Sequence, residues 1–195
     1  MSLNNLEGIT IGKYKIERLL GEGGFGVTYK ALDTYIDSYV AIKFLKSTEG
    51  SYWKDEARKA ARLRDIRQIA IVYEFSEGTI LINGEKMALK YIVWQYVEGE
   101  LLDKFISNRY LTTDVIIDIT EEICLGISAM QEEGLEHGDL HPNNIMIVSP
   151  KRHEFQKKYG IKILDFGLTQ SEKNKKYNDM DSLREILLSC WNRNQ

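Results

Sequence analysis

Four glycines fall within the six residues Gly21-Glu22-Gly23-Gly24-Phe25-Gly26, with strand-like sequence on both sides. Glycine reaches backbone conformations closed to other residues and leaves no side chain to hold a neighbour away. Its flanks decide what such a cluster builds. KYKIERLL before it alternates apolar and polar residues, and VTYKALD after it is rich in β-branched and aromatic ones. A dinucleotide-binding turn needs a helix after the last glycine. The sequence predicts a hairpin instead, with Phe25 at its tip and amides suited to an anion such as a phosphate. A plain structural turn fits the same residues, and this motif alone does not choose between them.

The strand texture continues to about Tyr96. A polar hairpin loop at 33–38 precedes YVAIKFL, and a loop with Asn83-Gly84 separates AIVYEF from YIVWQYV. One helix interrupts: Trp53, Ala57, Ala60 and Leu63 recur every three or four positions between Ser51 and Arg67. Beyond Gly99 the helical period takes over. Leu101 to Asn108 reads as a short helix. Thr112 and Thr113 can cap a long one, with the stripe Ile116, Ile119, Ile123, Ile127, Met130 and a stop at Gly134. A last helix from Asp179 to Trp191 sets Met180, Leu183, Leu187 and Cys190 on one side. HGDLHPNNIMIV and IKILDFG each contain a short strand. The fold class read from this order is α+β in two lobes. A small antiparallel β lobe with one helix takes 12–97, and a mainly helical lobe, incomplete or compact, takes 98–195.

Composition removes several classes. Lys+Arg is 26 against 29 for Asp+Glu, a net charge of -3, so no basic field is present to hold nucleic acid. No apolar run has the length of a bilayer span, and no membrane partner is expected. The opening residues lack a basic segment followed by an apolar one, so the expected location is cytoplasmic and reducing. Cys124 and Cys190 stand far apart without a CxxC partner, which argues against zinc or a disulfide framework. Both are expected as small buried thiols.

Lys43 lies in the apolar run Ala41-Ile42-Lys43-Phe44, where an unpaired ammonium is costly to bury. Glu56 shares a helix face with Ala60 and Leu63, so the two charges are expected to pair. Farther on stand His137-Gly138-Asp139-Leu140-His141-Pro142-Asn143-Asn144 and Asp165-Phe166-Gly167. With these four elements in this order, the chain resembles the protein kinase superfamily from about Tyr14 to the last helix. The GxGGFGxTYxA pattern is most similar to bacterial serine/threonine kinases of the eukaryotic type.

The resemblance implies ATP and Mg2+ as cofactors and a protein or a small hydroxylated molecule as acceptor. It implies that Gly21, Gly23, Gly24, Phe25 and Gly26 cover the phosphates and that Lys43, braced by Glu56, holds them. Val27, Ala41 and Met146 would line the adenine slot, Gln95 to Val97 would read the base edge, and Trp94 would close its back. Asp139 would take or orient the acceptor proton, Asn144 and Asp165 would bind magnesium, and Asp179 would tie down the catalytic loop.

Three departures accompany it. Gly138 replaces the arginine that receives an activation-loop phosphate. His141 replaces a lysine that stabilises the transferred phosphoryl group, which leaves an imidazole as catalytic candidate. Only Leu168 to Asn178 separates Asp165-Phe166-Gly167 from the last helix, with no Ala-Pro-Glu element. That spacing and the HGDLHP string resemble aminoglycoside and choline phosphotransferases. Two alternatives therefore stand beside a protein kinase: a small-molecule kinase, and a nucleotide-binding pseudokinase acting as an interaction module.

Overall fold

The computed structural model describes residues 3, 5–46, 58–82, 85–148, 159–165 and 178–192. Glu56, Asn83 and Gly84 of the expected loop, Phe166, Gly167 and the segment 168–177 lie outside them, as do residues 51–57 of the helix expected from Ser51. The chain forms two compact units, Met1–Ala57 with Ile71–Tyr96, and Arg58–Ala70 with Val97–Gln195. The second unit thus takes residues 58–70, which the sequence reading assigned to the first lobe.

The first unit is a six-stranded antiparallel sheet. Its strands are β1 (Thr10–Ile11), β2 (Tyr14–Glu22), β3 (Gly26–Asp33), β4 (Ser38–Leu45), β5 (Val72–Ile82) and β6 (Glu85–Gln95), in the order β1-β2-β3-β4-β6-β5. The last two run eleven residues each, reaching farther toward Asn83-Gly84 from both sides than the sequence reading expected. Alternation sends Val27, Tyr29 and Ala31 of β3 and Val40, Ile42 and Phe44 of β4 into one apolar core, with Tyr91 and Val93 of β6. The sheet curls until its two ends approach: Tyr14 on β2, next to the edge strand β1, donates its hydroxyl to Glu74 on the opposite edge strand β5 at 2.7 Å. The β3–β4 turn is fixed by Asp33, which is 2% exposed, accepts from the amide of Tyr35 at 3.0 Å and pairs with Lys13 at 2.9 Å.

The second unit holds a small sheet in the order β7 (Glu100–Leu101), β8 (Ile145–Val148), β9 (Gly160–Ile163). The helices Leu102–Ser107, Thr113–Glu132 and Asp179–Asn192 accompany it. The long helix begins where Thr112 Oγ1 accepts from the amide of Val115 at 3.4 Å. It stops at Gly134, whose φ of 67° suits glycine. All five members of its predicted stripe are buried.

Residues 58–62 are helical, with Ala60 and Leu63 buried as their spacing predicts. Gln68 to Ala70 then run beside β9. The amide of Ile163 donates to Gln68 O at 2.6 Å, and that of Ala70 to Ile163 O at 2.9 Å. These bonds are why the segment belongs to the second unit.

Two expectations need correction. The buried stripe of the last helix is Asp179, Leu183, Ile186 and Cys190, while Met180 is 55% exposed. The steps of four, three and four follow one helix face more closely than the predicted set. Cys124 is exposed, one position past the inward-facing Ile123 on the long helix.

Candidate active site

The glycine cluster forms the predicted hairpin between β2 and β3. Gly21 stands opposite Thr28 and Glu22 opposite Val27, and the amide of Gly23 donates to Gly26 O at 2.9 Å. The end of β4 supports it from the side, with the Lys46 amide donating to Phe25 O at 3.1 Å and Lys46 Nζ 2.6 Å from Glu22 Oε1. The glycines differ in why they are needed. A Cβ on Gly26 would collide with the carbonyl oxygen of Phe44, so close strand packing requires that residue. A Cβ on Gly21, Gly23 or Gly24 would meet nothing within 4 Å. The fold does not ask for glycine at those three positions; without side chains there the hairpin backbone stays open to a close-approaching ligand, although the Gly23 amide is already given to Gly26 O.

Cross-strand register sorts the remaining candidates of the first unit. Thr28 opposes Lys43, while Lys30 and Trp94 both oppose Ala41. Directly opposed residues share a face. Ala41, Lys43, Thr28 and Trp94 therefore stand on one face of the sheet. Val27, fully buried and opposite Phe44, lies in the core on the other face. The structure thus parts Val27 from Ala41 and Lys43 and brings Thr28 to them. Counting alternation back from Lys43 through the hairpin would have found Thr28, but only with the register known. Lys43 itself is 6% exposed. Gln95 donates its backbone amide to Ile71 O at 2.7 Å, so that donor serves the sheet.

In the second unit, Met146 lies on the less buried face of β8, beside Gly99, where an added Cβ would come within 2.8 Å of Met146 Cγ. Val97 is half-buried just before that glycine.

The loop His137–Asn144 is held from several directions. Asp179, 2% exposed at the start of the last helix, accepts from the amides of His137 at 2.7 Å and Gly138 at 3.0 Å. Gly138 has φ 76°, a left-handed value that glycine adopts without a steric penalty. His137 is 1% exposed and uses both ring nitrogens. Nε2–H donates to Leu164 O at 2.8 Å, and Nδ1 accepts from the amide of Asp139 at 3.3 Å. That pattern fixes one neutral tautomer. Burial, outweighing the opposing contact with Leu164 and the nearby carboxylates, holds the imidazole below its ordinary pKa.

Asp139 follows with its side chain 52% exposed. Asn144 Nδ2 donates to Asp139 O at 2.9 Å and lies 3.1 Å from His141 Nε2. A carbonyl oxygen can only accept, so the amide nitrogen must face it, and His141 Nε2 serves as the second acceptor. His141 is thus placed to orient Asn144, with Asp139 Oδ2 3.7 Å from the same ring nitrogen. The amide oxygen of Asn144 is left to face elsewhere.

Asp165 completes the group. The amide of Leu164 donates to Asn144 O at 2.8 Å, which ties the residue before Asp165 to the His137–Asn144 loop. Asp165 has φ 54°, an uncommon conformation for a residue other than glycine.

The family model described as "Protein kinase domain" matches residues 14–185. A probable serine/threonine-protein kinase of Clostridium acetobutylicum is 32% identical over 166 residues, covering 82% of this chain and 23% of that protein. Serine/threonine-protein kinase PknA of Mycobacterium tuberculosis is 30% identical over 172 residues, covering 84% of this chain and 37% of that protein. The chain spans about a quarter to a third of the length of these relatives. Among solved structures, the kinase domain of Mycobacterium tuberculosis PknI aligns with a TM-score of 0.70 at 19% identity, covering 99% of this chain and 78% of that one. With the family model spanning both the glycine hairpin and the His137–Asn144 loop, the chain belongs to the protein kinase domain family.

Proposed function

We propose that this chain transfers the γ-phosphate of ATP to a serine or threonine hydroxyl of a protein acceptor. The observation that carries the reading is the loop His137–Asn144. An exposed carboxylate, Asp139, has its own backbone oxygen bonded to Asn144, and the residue before Asp165 is bonded to the same asparagine. A reacting carboxylate and two oxygen donors are thereby linked through short bonds.

The donor set suits magnesium. No cluster of three or more His, Cys, Asp or Glu side chains forms a metal site among the described residues. Magnesium needs none, because it takes one or two protein oxygens and completes its shell with phosphates and water. Asn144 would offer its amide oxygen and Asp165 its carboxylate. When bound, the cation neutralises charge on the phosphates. The chain's own residues do the rest. The glycine hairpin Gly21–Gly26 covers the phosphates, Lys43 adds positive charge, and Asp139 orients the acceptor hydroxyl and takes its proton. Positioning and charge stabilisation supply most of the rate.

The test is incubation with labelled ATP and Mg2+, with protein acceptors or with small alcohols, reading phosphoprotein and phosphorylated alcohol separately. Asp139→Asn is expected to lower turnover by about 100-fold or more while leaving nucleotide affinity nearly unchanged. Transfer only to small alcohols replaces the acceptor in this reading. Nucleotide binding without turnover, or full activity in Asp139→Asn, removes the reading itself.

A further inference from the structure

Glu122 is a carboxylate 2% exposed on the long helix, and the reaction described above does not use it. An ionised group is kept in such a place only when its charge is answered. Here three bonds answer it. Arg67 Nη2 lies 2.9 Å from Oε1 and 2.7 Å from Oε2, and Gln68 Nε2 donates to Oε2 at 3.1 Å. The helix approaches closely at this point: a Cβ on Gly126 would sit 2.7 Å from Ile163 Cδ1 and 3.1 Å from Gln68 Cβ. One helical turn therefore carries both the carboxylate that holds Gln68 and the glycine that admits Ile163.

The segment so held is the one that borders β9. Gln68 O receives the amide of Ile163, Ala70 donates to Ile163 O, and Lys162 Nζ reaches Ile69 O at 3.1 Å. Ile69 and Ile163 pair as a parallel bridge. On its other side the same stretch is bonded through Leu164 to Asn144 and His137. Residues 163 and 164 are thus gripped from two sides, and Asp165 follows at once in its left-handed conformation. We infer that Glu122 is a positioning residue for Asp165: through Arg67 and Gln68 it fixes the 68–70 edge that sets where β9 ends and where the metal-binding carboxylate is presented. The inference rests on the reading of Asp165 as a magnesium ligand. Such supporting partners of a metal ligand are worth about 10-fold or more in metal affinity.

The test is calorimetric titration of the whole chain with a non-hydrolysable ATP analogue, once with Mg2+ and once with EDTA. Glu122→Leu removes these three bonds, and the Arg67 side chain, 43% exposed, already borders water. We expect the affinity gained from Mg2+ to fall by about 10-fold and the affinity in EDTA to change by less than about 2-fold. Glu122→Gln keeps an acceptor for Gln68 and is expected to recover most of the gain. A folded Glu122→Leu chain with the full Mg2+ gain, or with equal losses in both titrations, overturns the inference. If circular dichroism shows Glu122→Leu to be unfolded, Gln68→Met, which removes one bond, is judged by the same two criteria. Asp165→Asn separates the two layers. Should it lose the gain while Glu122→Leu keeps it, only the positioning role falls; should it keep the gain, the metal reading falls and the inference with it.

Discussion

The hairpin Gly21–Gly26 and the loop His137–Asn144 both present polar groups, but they are held differently. The hairpin is secured by backbone bonds to neighbouring strands and by one pair, Lys46–Glu22, whose side chains are 39% and 41% exposed. The loop is secured by partners distant in sequence: the buried carboxylate of Asp179, 42 residues from His137, and the backbone carbonyl of Leu164, 27 away. A hairpin built this way places amides while its tip stays open. A loop built the other way fixes particular side-chain atoms, which is what a reacting carboxylate and its neighbours require.

The sharpest way to break the contrast is Asp179→Ala. It leaves the buried amide of His137 and the part-buried amide of Gly138 without their acceptor, and an orphaned buried donor costs about 1–3 kcal/mol. A total loss of about 3 kcal/mol is expected in urea unfolding. A loss under about 1 kcal/mol would mean that the loop does not depend on this residue.

Acid probes the same loop more gently. His137 has its folded pKa depressed by burial, so the unfolded chain binds the proton more readily. Stability from this residue is therefore complete above the unfolded value of 6.5 and declines as the pH falls below it. Thermal unfolding followed from pH 8 to 5 is expected to show that decline, and His137→Gln, though less stable at pH 8, is expected to lack this part of the slope. An identical slope in the variant would assign the effect to other groups.

The smallest effect belongs to the hairpin. Lys46→Ala removes an exposed ion pair and leaves the backbone bond to Phe25 intact, so stability is expected to change by no more than about 0.5 kcal/mol. Affinity for the ATP analogue is expected to stay within about 2-fold, since the amides keep their places. A larger loss in affinity alone would show that the Lys46 side chain, and not the ladder, orders the hairpin.

Much of this molecule is legible in its sequence, and the reason is local. Strand alternation around the glycines, the threonine before the long helix and Gly134 after it are decisions the backbone makes within a few residues, and the structure follows them. The Asp139, Asn144 and Asp165 group was nameable because its residue types and order are distinctive, although no spacing rule gives their distances.

Tertiary structure decided the rest. Whether Val27 or Thr28 stands with Lys43 depends on the β3–β4 register, and a shift of one residue exchanges the two faces. Residues 58–70 join the second unit because β9 bonds to them and Glu122 holds them, partners 55 positions from Arg67 and unseen by any local pattern. His141 orients Asn144 because the carbonyl of Asp139 dictates which way the amide turns. Short-range sterics and hydrophobic period write the elements, but hydrogen-bond partners brought together only on folding choose which atoms of those elements face a substrate.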